Sequence, residues 1–178
     1  MAIVSRVACS ALALFMLAAS PAFADEAADC SKGDVSADPL KGTLNGAAFA
    51  ADSVTLAPIE QRTQNAVTFD VYHIYLKDKG GAVLDLTAIT VKGNLPDGKT
   101  FRSGLNGDSP EAGPGSAEIQ GWTITDAAKN EIGFYEVNDA SLQLVFGQRS
   151  GDALPAQIHF CVPSKMSEIG GSFAIPLK

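Results

Sequence analysis

The run Gly93-Asn94-Leu95-Pro96-Asp97-Gly98-Lys99-Thr100 satisfies the spacing G-x-x-x-x-G-K-[ST] of a phosphate-binding loop. That chemistry needs a helix opening at the lysine, so that its N–H groups and dipole face the phosphates. The residues that follow cannot supply one, because Gly104, Gly107 and Pro110 break the helix. Pro96-Asp97-Gly98 is instead turn chemistry between two strands, and no nucleotide or other cofactor is implied.

Nucleophilic catalysis requires a nucleophile, a base within hydrogen-bond reach and a group that orients the base. His73 and His159 are the only imidazoles in the chain, and neither a G-x-S-x-G elbow nor an S-x-x-K motif is present. Both histidines fall inside predicted strands. Ile158, Phe160 and Val162 form one face, which puts His159 and Cys161 on the other and predicts a solvated or interface histidine. His73 falls where the apolar phase of its strand changes, so its facing is open.

Imidazole and thioether would suit copper, which brings in Met166, whereas clustered oxygens would suit calcium. The spacings of His73, His159 and Met166 match no recognised metal motif, and Asp108 and Glu111 are not set in a calcium-loop pattern. Those two acids sit in the longest irregular stretch, residues 103–116, punctuated by Gly104, Asn106-Gly107, Pro110 and Gly113-Pro114-Gly115. Irregular stretches of this length inside a compact domain are uncommon and tend to carry function or to be disordered, so Asp108 and Glu111 are candidate ligand contacts. Trp122, Tyr72, Tyr75 and Tyr135 offer rings for stacking on a sugar or anchoring a protein partner, although Trp122, flanked by Ile119 and Ile124, also suits a core.

The elements that must hold these groups are strands. Residues 1–24 have the form of a signal peptide: Arg6, an apolar run from Val7 to Ala19, and Ala22-Phe23-Ala24 at the cleavage point. No later stretch approaches the roughly 20 apolar residues of a spanning helix. Residues 25–40 are small, polar or acidic and predict an irregular leader. Removing Arg6 with the signal leaves 12 Lys plus Arg against 20 Asp plus Glu, a net charge of −8. This balance disfavours nucleic acid and anionic membrane surfaces as partners. Export exposes thiols to an oxidising compartment, so Cys30 and Cys161 are expected to form a disulfide tying the leader to the last strands.

Residues 41–178 predict a single β domain. Strands are expected over 41–50, 53–57, 65–76, 83–91, 117–125, 132–137, 140–146, 156–162 and 169–177. In 65–76 the apolar positions are first Val67, Phe69 and Val71, then Tyr72, Ile74 and Leu76. In 83–91 they pass from Leu84, Leu86 and Ala88 to Ile89 and Val91. A bulge or passage between two covered faces produces such a change, and its occurrence in two neighbours joined by Lys79-Gly80-Gly81 predicts a bent sheet. Short strands, frequent turns and no interleaved helix define an all-β antiparallel sandwich or flattened barrel of about nine strands.

The expected protein is therefore an exported, periplasmic or secreted, non-catalytic binding or interaction domain of the cell envelope. Its ligand would be a protein or a carbohydrate, with Trp122, Tyr72, Tyr75, Asp108 and Glu111 as the candidate contacts. The alternatives are a periplasmic metal-handling protein using His73, His159 and Met166, and a hydrolase using Asp108 and Glu111.

Overall fold

A computed structural model describes residue 30 and residues 35–64, 66–93, 97–98, 100–103, 118–133 and 137–177. Among the described residues ten strands follow one another: β1 (Lys41–Leu44), β2 (Ala47–Gln64), β3 (Val67–Asp78), β4 (Val83–Val91), β5 (Thr100–Ser103), β6 (Glu118–Thr125), β7 (Glu131–Gly133), β8 (Ser141–Phe146), β9 (Ala153–Val162) and β10 (Ser167–Pro176). They form one sheet in the order β5-β8-β9-β10-β1-β2-β3-β4-β6-β7, antiparallel at every named pairing. The chain is all-β, as its turn-punctuated pattern predicts.

The sheet curls because β2 belongs to two halves. Its first residues, Ala47 to Ala50, pair β1, and from Ala51 onward it pairs β3. The register steps over Asp52 at the changeover and again over Ile59, each an extra residue that bends the strand. Pro58 sits beside the second step, which is where a central strand tolerates a residue without an N–H. The 18-residue β2 replaces the short strand expected over 53–57, and the strand expected over 41–50 is split by Asn45-Gly46. Both turn residues have positive φ, 51° and 77°, as the commonest tight hairpin turns require.

Curling brings β5, at one end of the order, against β6 near the other. The two halves enclose one core, in which Ile74, Leu86 and Trp122 from one half face Leu144, Ile158 and Phe160 from the other. The alternation is cleanest in β8, where Leu142, Leu144 and Phe146 point inward between half-buried neighbours.

The phase change in β3 and β4 is not a bulge in either strand. Their register runs unbroken from Phe69 opposite Val91 to Lys77 opposite Val83. Near the hairpin the even positions Ile74, Leu76, Leu84 and Leu86 are buried in the core, whereas Val71 and Ile89, on the odd face, are 2% and 6% exposed. At the end away from the turn the two strands are covered on their odd face too, and the irregular register lies in their neighbours, β2 and β6.

Cys30 and Cys161 form a disulfide with Cα atoms 5.6 Å apart. Beyond it the leader is held along β10: Pro39 bridges Ser172, whose N–H donates to the Asp38 carbonyl at 2.6 Å and whose hydroxyl donates to the Ala37 carbonyl at 2.8 Å. Hence the end of the predicted irregular leader is pinned to the sheet.

Candidate functional site

The turn after β3 sets the register that builds the site. Asp78 accepts the Ala82 N–H on its side chain at 2.8 Å, and its own N–H donates to the Ala82 carbonyl at 3.1 Å, which closes the hairpin around Lys79-Gly80-Gly81. That register sets His73 opposite Thr87 and Tyr75 opposite Asp85. Directly opposed residues share a face, and these four occupy the odd, outward face, because their even neighbours Ile74, Leu84 and Leu86 line the core. The rows extend sideways: Ala57 on β2 flanks His73 and Gly121 on β6 flanks Thr87, while Thr55 flanks Tyr75 and Thr123 flanks Asp85.

His73 is the hub. Its Nδ1 lies 2.7 Å from Asp85 Oδ2 and 3.2 Å from the Tyr75 hydroxyl, and its Nε2 lies 3.4 Å from Thr87 Oγ1. A carboxylate only accepts, so the proton on this ring is assigned to Nδ1; in the neutral ring Nε2 is then an acceptor and the Thr87 hydroxyl its donor. The rings of His73 and Tyr75 are tilted 50° with centroids 5.6 Å apart, and the Lys77 ammonium lies 5.3 Å from the Tyr75 centroid. The side chains of His73 and Asp85 are 26% and 19% exposed, open enough to meet a ligand and enclosed enough to be held.

Asp85 is the strained member. Burial pushes its carboxyl above the ordinary value, His73 pulls it back by charge and by the hydrogen bond, and Glu131 pushes it up again. Its second oxygen, Oδ1, is buried without a hydrogen-bond partner among the described residues. Tyr75 is also raised, first by burial and then by the negative charge of Asp85.

Among the described residues expected to contact a ligand, Tyr75 lies in this cluster and Tyr72 and Trp122 do not. Tyr72 is on the other face of β3, where its hydroxyl donates to Asp70 Oδ2 at 3.5 Å; burial, then the charge and hydrogen bond of Asp70, raise it, and a hydrogen bond with Thr90 lowers it. Asp70 also accepts the Gly93 N–H at 2.7 Å and the Gln61 amide at 2.9 Å, so that network fastens the end of β4. Trp122 is 3% exposed and meets Phe160 edge-on inside the core, where no ligand can stack on it. Asp108, Glu111 and Tyr135, with the whole stretch 104–117, lie outside the described residues.

His73, His159 and Met166 do not converge. His159 is on β9 in the other half of the sheet, facing away from the core yet only 5% exposed, with Nε2 3.4 Å from Glu168 Oε1. Of the solvated or interface histidine expected there, the solvated alternative is excluded: His159 is enclosed, on the face that carries the buried Cys161 and its bridge to the leader. Met166 is 54% exposed at the turn before β10. Among the described residues no three His, Cys, Asp or Glu side chains gather as metal ligands. Within the phosphate-loop pattern, residues 94–96 and 99 lie outside the described residues, and Thr100–Ser103 is strand β5 where that reading needs a helix.

Asp85 and Thr87 were not singled out by their types, yet their signal was present. The alternation that turns Leu84, Leu86 and Ala88 inward turns Asp85 and Thr87 outward, and a hairpin centred on Gly80-Gly81 sets them opposite Tyr75 and His73.

The class defined by fold and site is an all-β chain, a half-closed antiparallel sheet with a polar cluster on its outer face. Comparison with protein families, with characterised proteins and with solved structures finds no match.

Proposed function

We propose that the protein is an exported binding domain of the cell envelope, periplasmic or secreted, whose ligand site is the outer face of β3 and β4 centred on His73, Tyr75, Asp85 and Thr87. The observation that supports this reading is the cluster itself: the His73 and Asp85 side chains, 26% and 19% exposed, are held 2.7 Å apart on the outward face with Tyr75 and Thr87 bonded to the same imidazole. Export is supported by the apolar leader and the disulfide.

The test is a pair of blocking substitutions on the flanking strands, Thr55→Trp and Thr123→Trp, which add bulk over the cluster without touching the core. Ligand co-purifying with the wild type from envelope extracts should be lost from both variants, with both showing a cooperative melt and the exposed Thr55→Trp melting within about 2 °C of the wild type, as expected for a surface change below about 0.5 kcal/mol. Ligand retained by both variants would remove this face as the site.

A second reading, a hydrolase, is favoured by one specific order of contacts: Thr87 hydroxyl to His73 Nε2, and His73 Nδ1 to Asp85. It is the nucleophile, base and orienting acid arrangement of acyl transfer, built here on a threonine. Alkyl fluorophosphonate is the discriminating reagent: a phosphonyl adduct on Thr87, formed with loss of fluoride and absent in His73→Ala, would establish the hydrolase. An unlabelled Thr87 leaves the binding reading in place.

A further inference from the structure

From the open edge of β2 we infer that two copies of this chain associate by pairing their β2 strands antiparallel about Gln61; this stands apart from the ligand-face reading above. β1 accompanies β2 only from Ala47 to Ala50, whereas β3 follows it from Ala51 to Gln64. Beyond Ala51, whose N–H donates to the Leu40 carbonyl at 3.3 Å, the other edge of β2 has no ladder partner among the described residues. Pro58 to Thr63 are all exposed there, Ile59 at 50%. From its paired side the strand is held in place: the Gln61 amide donates to Asp70 Oδ1 at 2.9 Å, and the Thr63 and Thr68 hydroxyls lie 3.2 Å apart. A long edge with unpaired N–H and C=O groups is a template for another strand.

The residues of that edge select a second copy as its partner. Turned antiparallel about Gln61, Glu60 of each copy comes opposite Arg62 of the other, and Ile59 opposite Thr63. Glu60 and Arg62 are two apart and so share a face, where they form an ion pair within the chain with side chains 44% and 53% exposed. In the pair of copies the four charges alternate in sign along each strand and across the junction, and opposite charges directly facing are favourable. The rival role for such an edge is to be guarded: Pro58 and the register steps over Asp52 and Ile59 deter pairing. All three guards lie at or before Ile59, which leaves Glu60 to Gln64 open, and guarding charges of one sign would repel a second copy whereas Glu60 and Arg62 match it. Opposed residues share a face, so the two-fold axis stands perpendicular to the joined sheet and both His73 and Asp85 clusters face the same side. The junction is short against a standard interface of about 1,600 Å², and the net charge of −7 on each chain opposes it, so the dimer is weak.

The experiment is sedimentation velocity on the full, disulfide-bonded chain from about 1 to 500 μM, which should show monomer and dimer in exchange. Glu60→Arg alone and Arg62→Glu alone each set four charges of one sign at the junction and should weaken the dimer about tenfold. The double variant exchanges the two charges, keeps them complementary and should restore it. Both positions are exposed, so every variant should melt like the wild type. Gln61→Cys sets two thiols face to face on Cα atoms about 4.5–5.5 Å apart. Mild oxidation should link the copies through that position, with Cys30 still bridged to Cys161 by mass mapping. A monomer at every concentration would show a guarded edge and overturn the inference. So would a dimer indifferent to the single charge changes, a double variant that stays weakened, or a dimer that forms without linking at position 61. Growth beyond two copies would mean that β2 meets a different surface, and would overturn the closed pairing.

Discussion

Trp122 and Phe160 meet edge to face, their ring centroids 5.1 Å apart at an interplanar angle of 75°. Trp122 is on β6 and Phe160 on β9, strands separated by five others in the sheet order, so this pair joins the two halves of the curled sheet across its core. An aromatic pair of this geometry contributes about 0.5–1.5 kcal/mol beyond the area it buries. Trp122→Ala should therefore cost about 3–5 kcal/mol in urea unfolding, with Trp122→Phe costing less. A loss under about 1 kcal/mol for the alanine variant would mean that the halves are held together by other contacts.

The disulfide joins residues 131 positions apart, from the leader to β9. Closing so long a loop restrains the unfolded chain, and removing it should cost about 2–5 kcal/mol. Cys30→Ser with Cys161→Ala should lower the free energy of urea unfolding by that amount and keep the far-ultraviolet spectrum of the strands, because Asp38 and Ala37 still bond Ser172. Collapse of the spectrum would show that the bridge is needed to form the sheet and not only to stabilise it.

Gly171 explains how the leader lies so close to β10. Its φ is +138°, and a Cβ at this position would stand 2.7 Å from the Asp38 carbonyl oxygen and 2.7 Å from Leu40 Cα. Both obstacles are backbone, so an added methyl forces the leader off the strand. Gly171→Ala should destabilise by about 1–3 kcal/mol and speed hydrogen exchange at the Ser172 amide, which donates to Asp38. An unchanged Ser172 exchange rate would show that the leader is held from elsewhere.

Much of this fold was legible in local patterns, and the exceptions have identifiable physical causes. Alternation in Leu142, Leu144 and Phe146 and the glycines after Lys79 carry their own geometry, since side-chain period and turn type are local. Asn45-Gly46 is an equally local hairpin signal, but flanking residues of similar character make 41–50 look continuous. The length of β2 was hidden by Pro58, which argues against a central strand unless a bulge lies beside it, and bulges depend on partner strands distant in sequence. His159 defeats a facing argument for a related reason: parity turns it away from the core, but its burial depends on what covers that face, in a region where the disulfide brings in the leader. The site was half-legible. Tyr75 could be picked by type, whereas its role beside His73 and Asp85 follows only from the hairpin register.

Asp85 gives the last test, and its sign follows from burial outweighing its partner. The folded carboxyl is raised above its unfolded value, first by desolvation, against the lowering effect of His73. A raised carboxyl binds its proton more tightly in the folded state, so its contribution to stability is fully present below the ordinary carboxylate value, about 3.9. It is lost as pH rises through the folded value. Relative to Asp85→Asn, the wild type should therefore lose stability across that window and run parallel above it. Carbon-13 NMR of the Asp85 carboxyl reads the midpoint directly, and Glu131→Gln should move it down, because Glu131 pushes it up. A wild type that gains stability over Asp85→Asn as pH rises would mean that the His73 contact dominates the burial, and that Asp85 is a satisfied ion-pair partner with no call on a ligand.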